Sequence, residues 1–582
     1  MATPKANIIV VGGGLAGLAA TMRIAEQGHH VDLFSVVPVK RSHSVCAQGG
    51  INAAKNLKGE GDSTWSHFDD TVFGGDFLAN QGLVKRMCEA APGIIDLLDR
   101  MGVQFNRTPE GLLDFRRFGG TLFHRTAFAG ATTGQQLLYA LDEQVRRHES
   151  EGTVSKHEHW EFLSGVLDGN GVCRGICAMD LRSMTVATFP ADAVIMATGG
   201  IGAIFGKSTN SIACTGSAQS ALYQQGAAYA NGEFIQVHPT AIPGEDKLRL
   251  MSESARGEGG RVWVPRDGRP WYFLEEWYPK YGNLVPRDVA TRAIHKVVFE
   301  LGLGVDGQDA VYLDVTHLDR HTQDAKLGGI LEIYEKFVGD DPRKVPMRVF
   351  PAMHYTMGGL WIDDERQATN IPGLFAAGEC EYQYHGANRL GANSLVACIF
   401  GGMVAGPAAV AYAHGLGRGA AATPSGVFEA EQKRQVEIND RLFHNLGREN
   451  PFVLWKEMGR TMTEHVTVSR DNAKLRGADA KLQELLERFR QVSLADQTRW
   501  ANQTFFFTRQ LYNMLQLARV ITLGALARDE SRGAHYKPAF PERDDVNFLK
   551  TTLAHFAPDA DEPRLSYAPV DTSLIAPRAR KY

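Results

Sequence analysis

Two stretches near the start of the chain carry residue types that do chemistry at a readable spacing. Gly12, Gly13, Gly14 and Gly17 lie in "GGGLAG" and satisfy the pattern G-x-G-x-x-G. In that pattern the first glycine permits a tight turn. The second lets backbone approach a pyrophosphate, and the last lets a helix lie close to a strand. The free N–H groups of the helix N-terminus then face the phosphates, so a bound dinucleotide is the predicted chemistry. The second stretch is "RSHSVCAQGG", residues 41–50, where His43 lies between Ser42 and Ser44 and ahead of Gly49 and Gly50. Histidine is not a usual phosphate-cradling residue, so this one needs another role. A ribose partner is expected at the end of the second strand. Asp32 has the spacing, 20 residues after Gly12, but falls mid-strand, whereas Ser35 stands at the strand end. A serine bonds a hydroxyl without charge assistance, and both positions stay open.

The elements that must hold these residues follow from periodicity. "NIIVV" is a short apolar β run, "LAATMRIAEQG" has helical spacing and ends at Gly28, and "VDLFS" is the next strand. This is the opening βαβ unit of a doubly wound α/β fold. "DAVIMATGG" (192–200) and "GLFAAGEC" (373–380) are further apolar strands that end in glycine turns. Three such junctions, far apart, predict one nucleotide-binding domain assembled from separated segments, 1–232 and 355–427. The stretch 233–354 would be an inserted α+β domain. Its His, Arg, Pro and Trp content suits a polar ligand pocket. From about 428 to 535 the pattern becomes helical: "EAEQKRQVEINDRLFHNL" and "AKLQELLERFRQV" are amphipathic. In the second, Leu482, Leu485, Leu486 and Phe489 share a face, and Glu484 can pair with Arg488. The Pro- and charge-rich segment 536–582 reads as irregular.

Bulk properties exclude several classes. With 582 residues and 44% hydrophobic content, more than one domain is expected. A formal net charge of −4 argues against a bulk binder of nucleic acid or anionic membrane. Seven scattered cysteines, with Cys173 and Cys177 spaced by three residues, fit neither a disulfide framework nor a metal site. No charged-then-apolar run is visible ahead of the first strand, so a secretory leader is not expected. The uncharged run "LVACIFGGMVAGPAAVAYA", 395–413, is long enough to span a bilayer. Its glycines and alanines suit a helix buried against a sheet or cofactor, and that is the expectation.

Several motifs, in order, carry a resemblance: "RSHSVCAQGGINAA", "GEFIQVHPT", "SESARGEGG", "PRDVATRAI", "HYTMGGL", "GLFAAGECE" and "GANRLGANSL". The chain resembles the flavoprotein subunit of succinate dehydrogenase and fumarate reductase from Asn7 to the segment 530–545. "GEGDSTWSHFDDTVFGGDFLANQ" and "HRTAFAGATTGQQLLYALDEQV" look most like the menaquinone-linked branch with a haem-bearing anchor.

The resemblance implies FAD, bound covalently through His43. Its other contacts would be the glycine loop, Ser35, Ser42, Ser44, Gly49, Gly50, Thr198, Gly199, Ser217, Glu379, Ser394 and Leu395. Ser217 stands in "TGSA" where the family commonly has "TGDG", which puts that one contact in doubt. Phe118, His238, Ser252, Glu253, His354 and Arg389 would line a dicarboxylate pocket. Ser252 replaces a common threonine and keeps the hydroxyl. Arg287 would be the acid/base, relayed by Glu253 and Arg256, because a lone guanidinium is a poor base. A dianion calls for such bidentate cations and histidines in a site closed to water.

The chain has no iron–sulfur ligand pattern, so electrons would leave to an iron–sulfur subunit and, through it, to a membrane-anchor cytochrome b. The chain would then be peripheral on the cytoplasmic face of the membrane, with no transmembrane helix of its own. Succinate oxidation and fumarate reduction would use the same residues, with the direction set by the quinone and the partner subunits. L-Aspartate oxidase shares the fold but normally lacks the histidine at His43. A flavin-binding RNA-modification protein would leave the Arg/His set without a role. A non-catalytic scaffold would not need an intact Arg287.

Overall fold

The computed structural model describes residues 5–244, 248–417, 419–560 and 562–582. Its centre is a five-stranded, wholly parallel sheet in the order Leu374–Ala376, Ala193–Met196, Asn7–Val11, His30–Ser35, Val154–Glu158. The three apolar strands with glycine turns thus stand side by side, with Val10 in register with Ile195 and Leu33. Strands buried on both faces need no polar alternation, which is why they read as unbroken apolar runs.

The helix Leu15–Ala25 leaves the first strand at the glycine loop and is buried along nearly its whole length. The apolar helix Asn393–Gly415 lies against it. A Cβ on Gly402 would come 2.2 Å from the Ala16 carbonyl oxygen, so only a glycine permits this approach. The run with bilayer-spanning length is therefore a core helix, and its small residues serve helix contact.

The inserted stretch builds its own six-stranded sheet, including Ile235–Ile242 antiparallel to Met347–Thr356. It has a separate apolar core containing Val262, Phe273, Val289, Ile294, Leu313 and Val349. The pairing slips between Gln236 and Val237 and again between His238 and Ala241. Such bulges re-aim side chains, and here they flank His238. The strand Met347–Thr356 runs through residue 354, so the 354/355 division falls inside it.

Four helices follow: Ser425–His444, Pro451–His465, Asn472–Phe489 and Gln503–Ala527. Leu482 and Leu485 are buried, and Arg488 meets Glu484 at 3.1 Å. The helix Gln503–Ala527 was not singled out from the sequence. It is buried on most sides and so shows no clean apolar stripe. One expectation needs correction. The 536–582 segment is not irregular throughout, because Lys550–His555 and Arg564–Pro569 form a hairpin whose first strand pairs with Tyr229–Ala230. That pairing joins positions more than 300 residues apart, and local pattern holds no trace of it.

Candidate active site

The glycine loop is shaped as the motif demands. Gly12 has φ +118°, and a Cβ there would lie 2.1 Å from the Ala197 carbonyl oxygen. This left-handed backbone is open to glycine at little cost. Gly17 packs one turn on, against the Gly12 carbonyl. Ser44 Oγ accepts from Leu15 N at 3.3 Å, which ties the His43 loop to the helix start. The two candidate ribose partners differ in their surroundings. Asp32 accepts from His157 at 2.9 Å away from the loop, whereas Ser35 faces the same space as Gly13.

One cavity of about 500 Å³ runs from this loop to the inserted sheet. It takes in every expected cofactor and substrate residue except Gly17; Arg256 stands behind it, next to Glu253. Leu248, Arg249, Leu250, Ile333 and Phe337 close it from the inserted stretch, with the Arg249 guanidinium over the Phe337 ring at 4.6 Å. Ligand sites commonly form at such junctions between structural units.

The lining fits a flavin dinucleotide. The glycine cradle is preformed, and the buried Ser42 Oγ, His238 Nε2 and Arg389 Nε have no hydrogen-bond partner among the described residues. Buried polar atoms normally find one, so these await a ligand. Glu379 accepts from Thr356 N at 3.1 Å, and burial pushes its carboxyl up to about 7. Ser217 opens the helix Ser217–Gln224, and its Oγ accepts from Asn513 at 2.9 Å. The hydroxyl at this departure from the family is thus shared with the helical part. Ser394 and Leu395 lie in the first turn of the helix Asn393–Gly415.

His43 is half-buried in a short helical turn. Ser211 N donates to its Nδ1 and Asn210 Nδ2 meets its Nε2, both at 3.3 Å. Asn210 also donates to the His354 carbonyl oxygen at 2.8 Å. Sequence reasoning did not find Asn210, and no local signal marks it.

The other end of the cavity is lined by buried, cationic side chains. Arg287 gives Glu253 Oε2 two bonds, from Nε at 2.9 Å and Nη2 at 2.7 Å, while Arg256 Nη2 reaches Glu253 Oε1 at 2.5 Å. Burial pushes Glu253 up, but the two guanidinium groups pull it down further, so it is a carboxylate at neutral pH. Burial pushes Arg389 down to about 9, with Arg287 adding to the effect. Its guanidinium lies over the Tyr355 ring at 4.4 Å. Three arginines against one glutamate leave an excess of positive charge that a dianion would neutralise.

His238 and His354 meet edge-on at 5.0 Å. Both are held well below their usual pKa by burial, and then by Arg287, so they are neutral. Thr209 Oγ1 fixes His354 Nδ1 at 2.7 Å. Ser252 and Phe118 complete the lining.

Gln236 was also missed. It accepts from Arg287 Nη1 at 2.9 Å and donates to the Arg389 carbonyl oxygen at 2.8 Å, so it registers the two arginines. The signal was available, since a strand puts Gln236 and His238 on one face. Gly119 was missed too: a Cβ there would lie 2.2 Å from Glu253 Oε1. Gly119→Ala should therefore displace Glu253 and cut turnover by about 10- to 100-fold, as misplaced catalytic groups do. Flavin content should be unchanged. Steady-state assay beside the 450 nm absorbance checks both.

A glycine-cradled dinucleotide cleft that runs into a closed cationic pocket defines an FAD-dependent oxidoreductase. The FAD binding domain family matches residues 7–395, and the fumarate reductase flavoprotein C-term family matches residues 455–582. The chain is 66% identical over 578 residues to the succinate dehydrogenase flavoprotein subunit of Bacillus subtilis (strain 168), covering 99% of this chain and 98% of that one. It is 36% identical to the fumarate reductase flavoprotein subunit of Escherichia coli (strain K12), over 100% of this chain and 96% of that one. A solved E. coli quinol fumarate reductase chain superposes with a TM-score of 0.90 at 34% identity, over 100% of this chain and 99% of that one. The chain belongs to the family of succinate dehydrogenase and fumarate reductase flavoprotein subunits.

Proposed function

We propose that this protein is the catalytic flavoprotein that interconverts succinate and fumarate. The observation that carries the reading is the buried Arg256–Glu253–Arg287 chain, which reaches the same cavity as Arg389, His238 and His354. Arg389 and the two neutral imidazoles bind the carboxylates, with Ser252 donating a hydroxyl. Phe118 excludes water beside them. Arg287 moves the proton at the substrate carbon. Glu253 and Arg256 relay the proton to and from Arg287, which makes a high-pKa guanidinium usable.

FAD, when bound, supplies a two-electron hydride acceptor that passes electrons on singly. Gly12, Gly13, Gly14, Ser35, Ser42, Ser44, Gly49, Gly50, Thr198, Gly199, Ser217, Glu379, Ser394 and Leu395 would hold it, and His43 would bond it covalently. In this reading the 233–354 unit caps the site. Electrons leave to an iron–sulfur subunit and then to a cytochrome b anchor. The protein would sit peripherally on the cytoplasmic face of the membrane that holds this anchor. Family membership supports this arrangement, since the relatives are named as subunits.

The test uses purified holoprotein with a redox dye. Succinate should reduce the dye, and fumarate should oxidise a reduced viologen. Silence toward both dicarboxylates would sink the reading.

A further inference from the structure

We infer that Arg580 is a positioning residue for Arg287, acting through Asp288. This rests on the reading of Arg287 as the proton-transfer group. Asp288 follows Arg287 in the first turn of the helix Arg287–His295. Its carboxylate is fully buried and is gripped at both oxygens by Arg580, Nη1 to Oδ2 at 2.9 Å and Nη2 to Oδ1 at 3.2 Å. Apart from Arg580, Asp288 is paired only with Arg292, at 3.4 Å, among the described residues. Two-pronged guanidinium–carboxylate pairs fix direction as well as distance.

The same guanidinium reaches Asp76 Oδ2 at 3.3 Å. Asp76 lies just beyond the helix Thr64–Gly74, in the nucleotide-binding part, and is itself held by Arg543 at 2.8 Å and Gly533 N at 2.8 Å. Arg580 therefore joins a carboxylate of the inserted part to one of the nucleotide-binding part. The surrounding segment makes the same crossing. Gln81 pins Ile575 in both directions at 2.8 and 2.9 Å, and Arg578 meets Asp69 at 2.6 Å. Tyr582 bonds Arg580 Nε at 2.9 Å and packs its ring on Tyr281 at 5.2 Å and Phe73 at 5.6 Å. The 575–582 strap thus fixes where the helix bearing Arg287 begins, relative to the cofactor cleft. Nothing in the strap lines the cavity, and Arg580 reaches the helix that bears Arg287 through Asp288.

The experiment compares holoprotein carrying Arg580→Ala, Arg580→Lys, Asp288→Asn and the double change Arg580→Ala/Asp288→Asn. Arg580→Ala should lower kcat for succinate oxidation by about 10- to 100-fold, the range expected when a reacting group is displaced. Flavin content should hold, KM should change less than kcat, and hydrogen exchange across 287–295 should quicken. Arg580→Lys, which keeps the charge without the two-pronged grip, should restore only part of the rate. The double variant should be no slower than the worse single one, because both act through one contact. If Arg580→Ala fails to fold, Asp288→Asn alone must show the kcat loss and the faster exchange. A kcat within twofold of the parent, unchanged exchange across 287–295, or fully additive losses would each overturn the inference. Arg287→Gln is assayed alongside. If that variant keeps its turnover, the reading of Arg287 fails. A normal Arg580→Ala beside an inactive Arg287→Gln overturns the strap alone.

Discussion

Arg287→Gln is expected to lower kcat by about 10³-fold or more in both succinate oxidation and fumarate reduction, within the range that a lost acid/base group costs. Glutamine is shorter and keeps a donor but loses the charge and the fork that gives Glu253 two bonds. The buried Glu253 then keeps Arg256 as its hydrogen-bonded cation. Breaking a buried pair costs about 3–5 kcal/mol, so a lower melting temperature is expected as well. The flavin spectrum should persist, because the glycine cradle and the His43 loop do not depend on this network. Arg287→Lys keeps the charge without the fork and should also be slow. Stopped-flow reduction by succinate separates the chemical step from binding, and a spectral titration with an unreactive dicarboxylate reports affinity. Turnover within tenfold of the parent would assign the proton to another residue.

His43→Ala carries the other large expected effect. The variant should keep FAD loosely, retain some fumarate reduction and lose most succinate oxidation. A covalent bond to the flavin ring raises its potential, and a weakly reducing donor such as succinate needs that more than fumarate does. The loop is built to hold the imidazole in place, with Ser211 N and Asn210 against its two nitrogens. Acid denaturation checks the premise directly. In the parent, yellow flavin fluorescence should stay with the polypeptide; in the variant it should pass into the supernatant. Equal succinate oxidation in the two proteins would refute the role given to His43.

Much of this was legible in one dimension. The loop Gly12–Gly13–Gly14 was readable because close backbone approach has a single local solution, glycine, at fixed spacing. The sheet strands were readable because full burial writes an unbroken apolar run. The Leu482/Leu485 face and the Glu484–Arg488 pair follow from helical period alone. The Glu253–Arg256 pair was also accessible, since the two lie three apart and meet one turn on.

Other features depend on partners that sequence distance conceals. That Asp32 is engaged by His157, a neighbour from another strand, could not be read from local pattern. Gly119 is informative only once Glu253 is seen against it. The hairpin within 536–582 exists because its first strand meets Tyr229–Ala230. By itself, the sequence determined the doubly wound cofactor fold, the residue types at the site and their family. Only the tertiary structure decided that Arg256, Glu253 and Arg287 form one buried chain, that Gln236 registers Arg287 with Arg389, and that Arg580 pairs with Asp288 in the helix that bears Arg287. The physical reason is range. Turn, strand and helix patterns are fixed by neighbours within a few residues, whereas charge pairing and desolvation are set by whatever folding brings within a few ångströms.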